Sequence, residues 1–201
     1  MTTDDDTPTT PPGASRRAIL WAVWRVVAEK GIAGVSVRSV AAAAGVSAGR
    51  VQHHFPTKTA LLRASVAEML ASAEEAHLGA VRGRDARTEL WLLLAHAIPR
   101  AAESRAGTSV FYSFVAAGVA DPEIARMLAE AKSGVESEAA AVLTRLGSPA
   151  GRARADARHL LAVADGLVLR VLIGDLTADD AEACLRRAVD AALEGPEPPG
   201  A

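Results

Sequence analysis

The sequence predicts an all-α protein of about nine helices, and three observations support this fold class. Apolar residues recur at spacings of three and four along most of the chain, and no stretch alternates apolar and polar residues as a half-buried strand does. Half of the 201 residues are apolar but only 3% are aromatic, and the abundant alanine favours helices that pack closely through small side chains. Residues suited to helix capping precede the periodic segments, Ser36 and Thr57 among them.

Two short helices joined by a tight turn are predicted between residues 36 and 55. Ser36 is a suitable N-cap for a helix over 37–44, because its hydroxyl can accept a hydrogen bond from a free N–H of the first turn. Gly45 stands where a left-handed residue ends a helix, and Ser47 can cap a second helix over 48–55. This second helix is polar on its outer face and short enough for a DNA major groove. The pair therefore predicts a DNA-binding helix-turn-helix.

The rest of the chain predicts further helices. Ser15 is expected to cap a first helix over 16–30, and Thr57 a fourth helix from Lys58 to about residue 77. A helix is expected over 88–105, which Pro99 kinks or ends, and a short one over 109–119. A long helix is expected from Pro122 to about residue 146, and after the break at 147–149 another helix runs to about residue 173. The last helix is expected from Thr177 to about residue 193. We expect a DNA-binding domain over 14–62, a ligand-binding and dimerisation domain over 63–195, and disordered tails at 1–13 and 196–201.

The distribution of charge suits this division. The whole chain carries a net charge of −2, yet residues 14–62 hold seven basic side chains and a single acidic one. A small basic domain joined to a larger acidic one is typical of a protein in which the small domain binds the phosphates of nucleic acid and the larger domain does not.

Several other classes of protein are disfavoured. The single Cys184 excludes an internal disulfide and a multi-cysteine metal site, and no apolar run is long enough for a membrane span. The acidic, proline-containing N-terminus is unlike a signal peptide, so we expect a soluble cytoplasmic protein. The chain has no phosphate loop, Gly-x-Ser-x-Gly or HExxH motif, so we expect no enzyme and no cofactor. The pairs Glu74/His77 and Asp156/His159 leave a di-metal site as a weak alternative.

The motif GVSAGRVQHHFPTKTALL, residues 45–62, resembles the DNA-binding signature of the TetR/AcrR family of bacterial repressors, and residues 16–41 fit the same family. The residues at 52–55 are similar to those of its BetI-like branch. The resemblance implies an all-α homodimer whose variable body binds a small molecule that releases repression. It also implies that the ligand shifts the fourth helix and so changes the spacing of the two recognition helices, which must lie roughly 34–36 Å apart on DNA.

The candidate DNA-binding residues lie on and around the second short helix. Arg50 is the candidate for reading guanine O6 and N7, with a phosphate contact as the alternative. Gln52 stands where family members often have a Tyr that holds the DNA backbone, and either donates to phosphate or reads adenine. The full set is Arg16, Arg17, Ser36, Arg38, Ser47, Ala48, Gly49, Arg50, Gln52, His53, His54 and Lys58. For the paired arginines a solvated surface pair is the alternative, and for one of the two histidines it is packing.

The larger domain offers candidates for an effector pocket and for a dimer interface. The pocket candidates are Trp91, His96, Phe111, Tyr112, Phe114 and Met127, with ordinary core packing as the alternative for each. Their character suits an apolar or aromatic effector, and an aromatic cage for a quaternary ammonium is also conceivable. Residues 160–173 are apolar nearly all round, which predicts either cover by a second copy or a central core helix in a monomer. The dimer candidates are Leu160, Val163, Leu167, Val171, Leu185 and Val189.

Together these patterns predict a homodimeric transcriptional regulator that binds a palindromic DNA operator. Repression relieved by a small apolar or aromatic effector is the leading hypothesis. An activator of the same fold and an all-α metal-binding protein or enzyme are the alternatives.

Overall fold

The protein is described here by a computed structural model, which covers residues 12–194. Within this range the regular structure is helical throughout, and the prediction of an all-α fold with an N-terminal helix-turn-helix is confirmed. The α-helices are α1 Pro12–Lys30, α2 Val37–Ala44, α3 Ala48–His54, α4 Lys58–Val81, α5 Ala86–Ala95, α6 Ala102–Gly118, α7 Pro122–Arg145, α8 Ala150–Leu172 and α9 Ala178–Glu194. A single 3-10 turn, Ile32–Gly34, links α1 to α2.

The chain divides after Glu68 into an N-terminal unit and a C-terminal unit. The sequence placed this boundary at residue 62. The difference arises in α4, where Ser65 and Val66 are buried like Leu61 one turn earlier. The core of the N-terminal unit is formed by apolar side chains of α1 to α4, including Ile19, Leu20, Val23, Val40, Val51, Phe55 and Leu61.

The core of the C-terminal unit is formed by α5, α7, α8 and α9. Helix α8 contributes more buried residues to it than any other helix, and three of them are alanines, at 153, 157 and 164. Ala139 of α7 and Ala181 of α9 are also fully buried. These small side chains let neighbouring helices approach α8 closely, as the alanine-rich composition predicted.

Three predicted boundaries are wrong. Helix α1 begins at Pro12, so Ser15 lies inside the helix and is not its N-cap. The predicted helix over 88–105 is two helices, because α5 ends at Ala95 before Pro99, which has no N–H to donate, and α6 begins only at Ala102. Segment 109–119 is consequently the later part of α6. Phe55 is extended and follows α3 instead of ending inside it. The predicted disordered tails lie outside the described residues, apart from residues 12 and 13, which begin α1.

Candidate nucleic-acid interface

Helices α2 and α3 are fixed by local hydrogen bonds that the sequence specifies. Ser36 Oγ accepts from the Ser39 N–H at 3.0 Å, and Ser39 Oγ accepts in return from the Ser36 N–H at 2.9 Å. Gly45 ends α2 in the left-handed region, with φ of 68°, and Ser47 Oγ accepts from the Arg50 N–H at 3.2 Å to begin α3. Each cap satisfies N–H or C=O groups that a helix end leaves free, so residues close in sequence stabilise the turn between the helices.

Helix α3 is anchored by one buried residue, and all its other residues except His54 are exposed. Val51 is fully buried, as the apolar anchor of a recognition helix must be. The exposed residues of α3 and its cap are Ser47, Ala48, Gly49, Arg50, Gln52 and His53, all of them predicted DNA-binding residues. A Cβ added at Gly49 would meet only the Ser47 hydroxyl, at 4.0 Å. Gly49 is therefore not required for packing within the chain.

The two histidines at the end of α3 differ in burial. His53 is exposed, whereas His54 is half-buried, with its ring centroid 6.1 Å from that of Phe55. Of the two, His54 is the one that fits the packing alternative, and His53 is the one whose exposed ring suits a phosphate contact.

The predicted basic residues of the N-terminal unit are placed in different ways. Arg38 is exposed on the first turn of α2. Lys58 is exposed at the start of α4, where its ammonium donates to the Ile32 carbonyl at 3.2 Å. Arg16 lies over the Phe55 ring, 5.3 Å from its centroid. Arg17 donates from Nε to the Glu68 carboxylate at 2.6 Å, a partner that the sequence did not predict.

The C-terminal unit contains a polar group of side chains that we call the Asp165 cluster: His96, Tyr112, Lys132 and Asp165. The Lys132 ammonium donates to both carboxylate oxygens of Asp165, at 2.6 and 2.8 Å. The Tyr112 hydroxyl lies 3.3 Å from the Asp165 main-chain oxygen and 3.5 Å from Oδ1. Three helices, α6, α7 and α8, therefore bring one member each into contact, and His96, the residue after α5, is near enough for the charges of Lys132 and Asp165 to affect it.

The titration of two members of the cluster reflects their surroundings. Burial, reinforced by the Asp165 charge, raises the pKa of the Tyr112 hydroxyl, so this group stays protonated and can donate. Desolvation lowers the pKa of His96 below its ordinary value, and the positive charges of His77 and Lys132 act in the same direction. Its Nδ1 lies 2.9 Å from the Leu93 carbonyl, which opposes this shift only in part.

The predicted pocket residues do not form a single group. Tyr112 and Phe111 lie edge to face with ring centroids 5.6 Å apart, and Tyr112 belongs to the Asp165 cluster. Phe114 is buried in the core, and Met127 is half-buried on α7. Trp91 instead lines an open cleft of about 380 Å³ between α5 and α9, where the Arg186 guanidinium lies 4.0 Å from its ring centroid.

The two predicted metal-binding pairs have other partners. His77 Nε2 lies 3.0 Å from the Glu138 carboxylate, and Asp156 accepts from Arg152 Nε at 2.9 Å. Among the described residues, no three histidine, cysteine or acidic side chains converge as a metal site requires.

Comparison with known proteins decides the family. A family model described as "Bacterial regulatory proteins, tetR family" matches residues 19–65, and one described as "BetI-type transcriptional repressor, C-terminal" matches residues 86–194. The HTH-type transcriptional regulator BetI of Stenotrophomonas maltophilia is 31% identical over 157 residues, which cover 77% of this chain and 80% of that protein. The chain belongs to the TetR family of transcriptional regulators.

Solved structures agree with this assignment. A transcriptional regulator from Rhodococcus sp. Rha1 superposes with a TM-score of 0.81 at 27% identity, covering 90% of this chain and 96% of that one. A regulator from Saccharomonospora viridis, solved in complex with choline, shares the fold with a TM-score of 0.80 at 24% identity, covering 89% and 96%. Like its relatives, this TetR-family protein is a DNA-binding transcriptional regulator and not an enzyme, as the sequence predicted.

The residues predicted for a TetR-type dimer interface need correction. Leu160, Leu167, Val171, Leu185 and Val189 are buried in the core of a single C-terminal unit, and only Val163 is half-exposed. The apolar character of 160–173 is thus used mainly within one chain. Leu169 and Ile173 of the same segment remain 46% and 77% exposed.

Sequence reasoning did not single out the ion pair between Lys132 and Asp165. Asp165 carried a usable signal, because it is a carboxylate inside an otherwise apolar stretch of α8. Lys132 carried none, since it is one of several charged residues on α7. In the part of the chain that the structure describes, no helix combines the length and apolar character that crossing a membrane requires.

Proposed function

We propose that this protein is a homodimeric repressor that inserts α3 into the major groove of a palindromic operator and leaves the DNA when a small molecule binds its C-terminal unit. One observation carries the proposal: a capped helix, anchored by Val51, exposes six adjacent residues that include Arg50 and Gln52. Such a surface has no role in the core of the N-terminal unit and matches the dimensions of a DNA groove. The family description of a repressor supports repression over activation.

We assign separate roles to the exposed residues. Arg50 reads a base edge, because its guanidinium can bind guanine O6 and N7 together. Ala48 and Gly49 allow close approach of the backbone. Arg38 and Lys58 contact phosphates from the starts of α2 and α4, where free N–H groups also favour an anion. The excess of basic residues over 14–62 supports this division of labour.

We place the dimer interface on the exposed faces of α8 and α9 instead of on their buried residues. On α8 this face consists of Gly151, Ala155, His159, Ala162, Gly166, Leu169 and Ile173, at helical spacing. On α9 it continues with Ala183, Arg187 and Ala191. Small residues at this spacing let two helices pack closely, and Leu169 and Ile173 supply apolar surface that a single chain leaves exposed.

The proposed effector is a small molecule with an apolar or aromatic part, bound in the C-terminal unit. In the dimer, its binding would change the separation of the two α3 helices from the roughly 34–36 Å that successive major grooves require. Because a DNA-binding regulator acts where the DNA lies, we place the protein in the cytoplasm.

The deciding experiment measures binding of the purified protein to the DNA upstream of its own gene, at several salt concentrations and against random DNA. We expect tight, sequence-dependent binding whose logarithm falls steeply with that of the salt concentration, as phosphate neutralisation requires. Equal affinity for random DNA, followed by failure of a genome-wide selection of bound fragments, would refute the proposal. A promoter fusion in a deletion strain then separates repression from activation.

A further inference from the structure

We propose that the three consecutive aspartates Asp4, Asp5 and Asp6 dock on the exposed face of α3 and its basic neighbours when no DNA is bound, so that DNA has to displace them. The occupant of this face is thus a segment of the same chain that precedes the described residues, and its contact inhibits DNA binding. This inference rests on the proposed function, because it adds a mode of regulation to the proposed DNA-binding surface.

The surface around α3 is open to solvent and positively charged. Arg38 of α2, Arg50 of α3 and Lys58 at the start of α4 are all exposed. Helices α2 and α3 contain no acidic residue. The described residues of the N-terminal unit hold eight lysine and arginine side chains but only the carboxylates of Glu29 and Glu68. An excess of positive charge therefore surrounds α3, and an anionic segment can neutralise it.

The start of α1 lies next to the end of α3. Arg16 follows Pro12, the first residue of α1, by one helical turn, and its guanidinium lies 5.3 Å from the centroid of the Phe55 ring. Phe55 is the residue that directly follows α3. Four helical residues advance the chain by about 6 Å, so the aspartates are attached to the folded unit close to the C-terminal end of α3.

The intervening chain is long enough for the contact. Five residues, 7–11, separate Asp6 from Pro12. An extended chain advances by about 3.3–3.6 Å per residue, which allows a span of about 20 Å between these two residues. Helix α3 has seven residues and is therefore about 10 Å long. The carboxylates can thus reach Arg50 in the first turn of α3 as well as His53 in its last turn.

Carboxylates bind the same cationic groups as DNA phosphates do. Each aspartate offers two oxygen atoms that accept from guanidinium or ammonium groups, and a short tether gives the segment an effective concentration in roughly the millimolar range. A protein molecule can bind DNA only after the segment has left, so the apparent dissociation constant rises by the same factor for operator and for random DNA. The segment thus sets the protein concentration at which DNA is occupied, without changing the preference for the operator.

The docking is tested first without DNA, by NMR spectra of the isotope-labelled full chain at low salt. The variant that combines Asp4→Asn, Asp5→Asn and Asp6→Asn, which we call the Asn variant, keeps the chain length but removes the three charges. We expect amide resonances of residues 47–54 to differ between this variant and the unmodified protein, while those of α9 coincide. Because salt screens charges, high salt should move the resonances of the unmodified protein toward those of the Asn variant.

Binding to DNA gives the second measurement. At low salt, the Asn variant should bind random duplex DNA and the DNA upstream of its own gene about tenfold more tightly than the unmodified protein does. The difference should shrink as the salt concentration rises. The variant with Asp4→Glu, Asp5→Glu and Asp6→Glu keeps the three charges, so it should match the unmodified protein in both measurements.

A second control separates the segment from net charge. Glu103→Gln, Glu130→Gln and Asp179→Asn together neutralise three exposed carboxylates of the C-terminal unit and change the net charge by the same amount as the Asn variant does. This variant should leave the resonances of residues 47–54 in place and change DNA affinity by less than about twofold, because solvent and salt screen distant exposed charges. Thermal melting of every variant checks folding.

Either of two results would overturn the inference. One is identical resonances of residues 47–54 in the unmodified protein and the Asn variant; combined with tighter DNA binding by that variant, it would mean that the segment only repels DNA. The other is equal DNA affinity of these two proteins at low salt. Failure of the proposed function is separately visible, because it appears as failure to select any specific DNA fragment and leaves the NMR comparison unaffected.

Discussion

The Trp24 indole nitrogen donates to the main-chain oxygen of Ser65 at 3.2 Å and so joins α1 to α4 within the N-terminal unit. Ser65 is fully buried there, and among the described residues its own hydroxyl has no hydrogen-bond partner. The Trp24 indole N–H thus has a hydrogen-bond partner, whereas the buried Ser65 hydroxyl lacks one. Removing the first should lower the free energy of unfolding, and removing the second should raise it.

Trp24→Phe removes the donor while keeping an aromatic ring. Because the hydrogen bond to Ser65 is lost and the smaller ring packs less fully, we expect the free energy of unfolding to fall by about 1–3 kcal/mol. Denaturant unfolding measures this. An unchanged midpoint would contradict the role assigned to the bond.

Ser65→Ala removes the buried hydroxyl and leaves the main-chain acceptor for Trp24 in place. Since a buried polar group without a partner carries an uncompensated desolvation cost, we expect the free energy of unfolding to rise by about 1 kcal/mol. Ser133→Ala, at an exposed position on α7, is the control for a change in helix propensity alone. Destabilisation by Ser65→Ala would indicate that the hydroxyl has a partner after all.

Arg50→Ala and Arg38→Ala should affect DNA binding differently. Loss of a base contact by Arg50 should cost about 1–3 kcal/mol on the operator and relax the preference at one base pair. Loss of a phosphate contact by Arg38 should weaken binding to all sequences alike and reduce the salt slope by about one. Binding to an operator library at two salt concentrations separates the two effects. If Arg50→Ala weakened binding equally on all sequences, the phosphate alternative would hold for this residue.

Gly166→Glu should separate the subunits without unfolding them. A Cβ at this exposed position on α8 meets nothing within 4 Å in one chain, and replacing a helical glycine favours the helix by roughly 1 kcal/mol. A like-charged pair across the proposed interface should therefore be the dominant effect. Light scattering should give a monomer mass for this variant and a dimer mass for Gly134→Glu, an equally open glycine on α7. Dimers of both variants would place the interface elsewhere.

Stability should fall in mild acid because of His96. Desolvation lowers the pKa of this ring in the folded protein, so below about pH 6.5 the unfolded chain binds more protons than the folded one. The free energy of unfolding therefore decreases as the pH falls through this range. Replacing the ring by an amide in His96→Gln should remove part of the difference between melting temperatures at pH 7.5 and 5.5. An identical pH profile for the variant would show that His96 does not contribute.

Local signals explain what the sequence predicted well. Ser36, Gly45 and Ser47 act through hydrogen bonds or backbone angles within a few residues, so their roles depend only on the adjacent chain. The Asp121-Pro122 start of α7 is of the same kind, with the carboxylate accepting from the Glu123 and Ile124 N–H groups. For this reason the helix-turn-helix and most of the long helices were predictable.

The wrong predictions concern features that depend on contacts between residues far apart in the sequence. The apolar period continues through Ile98, so the break between α5 and α6 was hidden by a residue that is buried although it lies outside a helix. Leu160 and Leu185 have the character of interface residues, but the folded chain already covers them. Tyr112, Lys132 and Asp165 lie on three helices, and no pattern in a single helix reveals their contact.

The buried alanines around α8 also constrain how this regulator can change during evolution. At Ala157 and Ala181, which have no exposed surface, each added methylene would have to push two helices apart, at a cost of about 1–3 kcal/mol. The side chains of the Asp165 cluster, which are exposed or half-buried, face no such restriction. New inducer preferences should therefore accumulate at positions such as Phe111, Met127 and Lys132, while the alanine framework stays nearly invariant among descendants with different ligands.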